Sequence, residues 1–229
     1  RWPSYPDDRC EVVLYHSDHD ARLSGLPAAH FRKVVDLWAE RSAALGARDD
    51  IGYVLVFENH GEAVGATIAH PHGQIYAYPD VPEAPANELA RLTAGHRLIE
   101  DDPDLTVVER DGWRAWVPAA AIHPYGMRVA PLEPRPDLPS LEPAERDSFG
   151  SVLAEALERL ERVFDPPMPY MFWIHQRPFD GVDRPHAHLH LEIVGPHRSP
   201  GVMRYVAAAE LGTGRYLNPV APEEAAANL

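Results

Sequence analysis

The chain has 229 residues, 45% of them hydrophobic, which allows a substantial core in one domain or two closely joined halves and excludes a disordered or fibrous chain. A formal net charge of −14 opposes the basic surface that phosphate-backbone binding needs, and this excludes nucleic acid as a partner class. A single cysteine, Cys10, excludes an intrachain disulfide framework and suits a cytoplasmic setting, while no apolar run reaches the roughly 20 residues of a membrane span.

The segment RWPSYPDDR lacks a signal-peptide layout, and the strand-like run CEVVLYHS follows almost at once. Arg1 rather than Met opens the chain, pointing to a missing segment upstream. Over residues 26–48, Phe31, Val34, Val35, Leu37, Trp38 and Leu45 recur at helical spacing and Gly46 offers a stop, predicting an amphipathic helix. Residues 53–57 read as a strand, a turn follows around Asn59 and Gly61, and HPHGQIYAY reads as the next strand. Residues 84–101 predict a polar helix. TVVERDGWRAWV reads as two strands joined across Asp111 and Gly112, a pair that favours tight hairpin turns. After the strand MRVAP and a proline-rich surface loop over 131–143, Phe149, Val152, Leu153, Leu157, Leu160 and Val163 predict a helix over 142–164. The strands YMFWIH and HAHLHLEIV follow. Trp38, Trp113, Trp116 and Trp173 sit inside periodic runs and are read as core.

Helix, strand, turn and histidine-rich strand thus occur twice in the same order. The spacing from His72 to His190 nearly equals that from Asn59 to His175. We read an internal duplication in an α+β chain. Its halves, residues 1–104 and 105–229, are each expected to be a mostly antiparallel sheet with a helix packed on one face.

Thirteen histidines are the unusual feature of the composition. If HPHGQ is extended, His70, His72 and Gln74 share one face. A neutral imidazole attacks activated phosphorus well when one ring nitrogen keeps its proton and donates it to a fixed acceptor, which aims the other lone pair. His72 is the candidate. Pro71 fixes the backbone, Gly73 is expected to leave room for a phosphate, and Gln74 can donate to a phosphoryl oxygen as charge develops. The plain alternative is a surface strand with two solvated histidines, but HPHGQ following FENHG favours a site. In the second half His188 and His190 flank Leu189 on one expected strand face, and His175 ends the neighbouring strand. Three imidazoles with a carboxylate suit zinc or iron. Spacing alone does not choose between Glu88 and Glu192. His186 shares that face, while His16, His30, His60, His96, His123 and His197 are read as surface or capping residues.

The runs CEVVLYHSDHD, VFENHGEAVGATIAHPHGQIYA and HAHLHLE resemble the corresponding blocks of galactose-1-phosphate uridylyltransferases, a branch of the histidine-triad superfamily. The resemblance implies a ping-pong exchange: the second His of HPH takes the uridylyl group from UDP-glucose, and galactose-1-phosphate then accepts it. His72 is the implied nucleophile, with its other ring nitrogen held by a backbone carbonyl, and Gln74 contacts the transferred phosphoryl group. Asn59, Gly65 and Thr67 match substrate-contacting positions. Glu88, His175, His188 and His190 match a closed structural metal site, and Glu88 is the carboxylate the resemblance selects. His19 and His70 match two ligands of a zinc site whose remaining ligands are an upstream Cys-x-x-Cys that this chain lacks. Arg204, Tyr205 and Glu210 match a segment that reaches the hexose-phosphate site of a partner subunit, implying a homodimer. An ADP-sugar phosphorylase is the alternative within the class, and a non-catalytic, metal-stapled nucleotide-binding fragment the alternative outside it.

Overall fold

The computed structural model describes residues 9–229; residues 1–8, which carry most of the opening segment, lie outside the described residues. The first strand, β1 (Cys10–Leu14), leads to α1 (Ala28–Gly46), whose buried Phe31, Val34, Val35, Trp38, Ala39, Ser42 and Leu45 trace one stripe at helical spacing. β2 (Tyr53–His60) and β3 (His72–Tyr78) follow, then α2 (Glu83–Thr93). Strands β4 (Thr106–Arg110), β5 (Trp113–Trp116) and β6 (Met127–Pro131) precede α3 (Pro143–Arg162), β7 (Tyr170–His175) and β8 (His190–Val194). The chain ends with a small ribbon of β9 (His197–Ser199) and β10 (Val202–Met203), then α4 (Ala208–Thr213) and α5 (Pro222–Asn228).

Among the described residues, eight strands form one sheet in the order β1-β3-β2-β7-β8-β6-β5-β4, and every neighbouring pair is antiparallel. The chain is therefore α+β. Strands of the first half meet those of the second at β2 and β7, where Val56 faces Ile174 and His60 faces Tyr170. Strand alternation divides the sheet into two faces. Val54, Val56, Ile75, Phe172 and Ile174 are buried under α1 and α3, which pack on each other. Phe57, Asn59, His72, Gln74, Trp173 and His175 occupy the opposite, half-buried face. α3 starts cleanly because Pro143 stands in its first turn and Glu145 Oε2 accepts from Glu142 N at 2.9 Å. Buried Gln176 ties the layers together: its amide nitrogen donates to Ser42 Oγ and to the Val54 carbonyl, and its oxygen accepts from Leu138 N.

The hairpin at Asp111 and Gly112 is as expected, since both residues adopt positive φ, 50° and 78°. Several elements depart from their sequence pattern: β1 stops at Leu14 and β3 starts at His72, while β2 runs on through Asn59, where a turn was expected, to His60, and α2 and β8 are shorter than read. α2 stops at Thr93 because Gly95, at φ 91°, turns the chain, and His96 N bonds back to the Arg91 carbonyl. Leu98 and Ile99 are then freed to pack with Trp116 and Ala130. β8 begins at His190, so His186 and His188 lie before the strand, His186 exposed in a turn. Trp38, Trp113 and Trp116 are buried as expected, but Trp173 is half-buried on the open face, paired with Phe57 and Glu192.

Candidate functional site

The loop from Gly61 to Pro71 arches between β2 and β3 and encloses a cavity of about 550 Å³, lined by Asn59, Gly65, Thr67, His70 and His72 among others. Gly61 and Gly65 take positive φ values of 102° and 92°, which L side chains resist, so the glycines of this loop shape its bends. Asn59 enters from the open face of β2; its side-chain nitrogen lies 4.0 Å from where a Cβ on Gly65 would stand. His72 is the first residue of β3, and its Nδ1 lies 2.8 Å from the His70 carbonyl oxygen. A carbonyl only accepts, so Nδ1 carries the proton and the Nε2 lone pair is left for chemistry. Two residues on, Gln74 Oε1 accepts a long bond of 3.4 Å from Tyr76 Oη, leaving the amide hydrogens as donors. His60 also lines the cavity; burial, then Arg22, lowers its pKa, which favours the neutral ring.

Gly73 has a different cause from the one its motif suggests. Its missing side chain would point to the helix face, away from His72, where a Cβ would overlap the Tyr15 hydroxyl and stand 2.8 Å from Tyr15 Cζ. The glycine makes room for a phenol.

His70 Nδ1 lies 2.8 Å from His19 Nδ1, so the two expected zinc ligands do meet. Cys10 pairs with Tyr76 while Leu14 pairs with His72, which puts the thiol about 13 Å along β1 from that end of the sheet, out of reach.

At the seam of the sheet, His175 and His190 stand opposite each other in register, with ring centroids 5.2 Å apart. α2 lowers Glu88 onto them: its Oε2 lies 2.6 Å from His175 Nδ1 and its Oε1 lies 3.0 Å from His190 Nε2. His190 is 2% exposed, and its Nδ1 is committed to the His188 carbonyl at 2.9 Å, the same geometry as at His72. Its Nε2 is buried without a well-formed hydrogen bond. A neutral ring would therefore aim a lone pair at a carboxylate, an arrangement that needs a proton or a cation between the two. Burial alone would raise the Glu88 pKa and lower that of His190, but their mutual contact, with His175, reverses both directions. The donor set of one carboxylate and two imidazoles fits zinc or iron. His188 lines the same small cavity, but its Nε2 donates to the Pro131 carbonyl at 2.8 Å, and it stands outside the cluster of Glu88, His175 and His190 whose ligand atoms lie within 4.8 Å of one another.

Arg204 and Glu210 are occupied with each other. Arg204 Nη2 donates to Glu210 Oε1 and to the Leu217 carbonyl, and the Glu210 carboxylate also accepts from Leu217 N and Ala207 N. Both are buried and brace the C-terminal segment, although Arg204 Nη1 has no hydrogen-bond partner among the described residues, whereas Tyr205 is 81% exposed. Of the histidines read as surface residues, His197 is buried and His60 stacks on Tyr170 at 4.7 Å. Sequence reasoning also missed Glu58, which continues the inward-facing series Val54, Val56 and is 2% exposed. A carboxylate on an apolar strand face was the available signal. A larger cavity of about 980 Å³ lies beyond α1 and α3, beside Ser24, Arg110 and Ser151, but no histidine lines it and Arg110 is paired with Glu155.

Residues 5–82 match the family model described as galactose-1-phosphate uridyl transferase, N-terminal domain. A galactose-1-phosphate uridylyltransferase of Thermotoga maritima is 34% identical over 231 residues, covering 96% of this chain and 73% of the relative. One of Streptomyces lividans is 36% identical over 258 residues, covering 100% of this chain and 71% of the relative. A solved uridylyltransferase structure superposes with a TM-score of 0.89 at 31% identity, covering 96% of this chain and 73% of its own.

Proposed function

This chain belongs to the galactose-1-phosphate uridylyltransferase family, and we propose that it transfers a uridylyl group from UDP-glucose to galactose-1-phosphate through His72. The observation that carries the proposal is the His72 ring, its Nδ1 proton committed to the His70 carbonyl at 2.8 Å, at the rim of a cavity shared with Asn59, Gly65 and Thr67. Nε2 attacks the α-phosphorus of UDP-glucose, the bond from that phosphorus to the bridging oxygen breaks, and glucose-1-phosphate departs. A phosphate oxygen of galactose-1-phosphate then attacks the same phosphorus, the P–N bond breaks, and UDP-galactose leaves. Sugar phosphates and phosphohistidine are both serviceable leaving groups near neutral pH, so neither step demands a strong general acid. Positioning by the loop and charge stabilisation by Gln74 and Asn59 supply most of the rate.

Glu88, His175 and His190 would hold zinc or iron, whose contribution is to staple the two halves. His19 and His70, 2.8 Å apart through their Nδ1 atoms, would supply two ligands of a second zinc. The shared geometry of His72 on His70 and His190 on His188 supports an internal duplication with halves 1–104 and 105–229. A homodimer is proposed on the exposed apolar C-terminal segment, where Tyr205, Leu211 and Leu217 are 81%, 71% and 74% exposed. No helix of the described residues is long and apolar enough to cross a membrane, and the exposed, unpaired Cys10 suits a cytoplasmic enzyme.

The test is isotope exchange. With labelled glucose-1-phosphate and UDP-glucose alone, label should enter UDP-glucose, and ADP-glucose should exchange much more slowly. Preferred exchange into ADP-glucose would move the chain to the phosphorylase reading, and no exchange with either would favour a non-catalytic fragment.

A further inference from the structure

Glu58 opposes Gly73 across the β2–β3 ladder, because Phe57 faces Gln74 in that antiparallel register. Both residues look toward the helix layer, beneath the strand that carries His72. Tyr15 follows β1, and its ring lies over Gly73 in the space a side chain would fill. Its backbone is anchored twice: Tyr15 N donates to the Pro71 carbonyl at 3.1 Å, and the Tyr15 carbonyl bonds His30 Nε2 of α1 at 2.7 Å. Pro71 is the residue between His70 and His72. Tyr170 Oη donates to Glu58 Oε1 at 3.1 Å, while Tyr15 Oη and Glu58 Oε2 are both buried without a regular hydrogen-bond partner among the described residues, and the Tyr15 hydroxyl feels both the Glu58 carboxyl and Trp38. Trp38 packs edge-on against Tyr15, ring centroids 6.0 Å apart, which keeps the phenol in place.

We propose that Tyr15 and Glu58 form a positioning bridge beneath Gly73 that fixes the His70-Pro71-His72 segment relative to Asn59, so that the His72 lone pair meets the α-phosphorus in line. The proposal rests on His72 being the nucleophile. Neither residue touches substrate; each acts through the backbone of β3. The bridge works with an uncharged carboxyl, which can both donate and accept between two phenols. Burial pushes Glu58 up to about 8, against the lowering by Tyr170 and Tyr15. The other groups facing it are His60 on β2, 3.8 Å away, and Glu161 of α3, which Arg22 approaches at 3.8 Å; His30 of α1 stands behind Tyr15.

The experiment is a rapid-quench measurement, on the full chain, of the rate at which UDP-glucose labels His72 across pH 6 to 9.5. Tyr15→Phe, which keeps the ring and removes the hydroxyl, should lower that rate about tenfold at unchanged UDP-glucose affinity, since a small misalignment is costly in a positioned reaction. Glu58→Gln, permanently neutral, should keep most of the rate at pH 7 and lack the decline expected of wild type near pH 8. Tyr15→Phe reacting at the wild-type rate, or a Glu58→Gln variant that retains the alkaline decline, would overturn the bridge while leaving His72 in place. If wild type is never labelled, the nucleophile reading fails and the bridge with it.

Discussion

Gly73→Ala is the sharpest probe of how the nucleophile strand is packed. Gly73 is not among the glycines at positive φ, so its backbone accepts alanine without conformational strain, and alanine would even reduce the entropy of the unfolded chain. The cost is steric. The added methyl would overlap the Tyr15 hydroxyl, stand 2.8 Å from Tyr15 Cζ and come within 3.3 Å of the Phe57 carbonyl. The ring cannot swing aside, because Tyr15 is 2% exposed and Trp38 behind it is fully buried. Overpacking of this kind costs about 1–3 kcal/mol. For a chain of this size the expected fall in Tm is roughly 3–10 °C, read by thermal unfolding under circular dichroism. Tyr15→Leu removes the obstructing ring, so adding Gly73→Ala to that background should cost little more, a coupling that a double-mutant cycle isolates. An equal loss in both backgrounds would show that the methyl clashes with something other than Tyr15.

Glu58 also sets a pH dependence of stability. Its folded pKa of about 8 lies above the ordinary 4.5, so the native chain keeps a proton that the unfolded chain gives up. That contribution is complete below about pH 4.5 and is lost as pH rises through about 8, at up to about 1.4 kcal/mol per unit. Glu58→Gln should therefore gain on wild type by a few kcal/mol between pH 5 and pH 8.5 in urea unfolding; the same difference at both values would contradict this. For the seam, chelation should lower the Tm of wild type by several degrees, release about one zinc or iron per chain by elemental analysis, and leave the Tm of His190→Ala unmoved. A variant that still loses stability on chelation would place the metal elsewhere.

The elements that sequence pattern could deliver were those whose signal is local. The stripe of Phe31, Val34, Val35 and Trp38 defined α1, and Asp111-Gly112 defined a hairpin that is present as read. The extended HPHGQ run placed His70, His72 and Gln74 on one face; the structure keeps His72 and Gln74 there, but β3 begins only at His72, so His70 lies in the bend before the strand. Boundaries set by distant partners were not legible. β8 begins at His190 because that is where its register with His175 begins, and a run of alternating histidines says nothing of that limit. The cause of Gly73 depends on β1 lying beside β3, which brings Tyr15 over a residue far away in the chain. The resemblance gives Arg204 and Glu210 as contacts to a partner's sugar-phosphate site because a motif carries residue types without their partners; here residues 214–217 bring the chain back so that Leu217 bonds both Arg204 Nη2 and the Glu210 carboxylate.

The central claim is that His72 carries the uridylyl group, and intact mass spectrometry tests it directly. The full chain, incubated with UDP-glucose and no acceptor, should gain the mass of one uridylyl unit at His72, lose it on addition of galactose-1-phosphate, and gain nothing in the His72→Gly variant. Wild type that never acquires the adduct, or His72→Gly protein that does, would contradict the account.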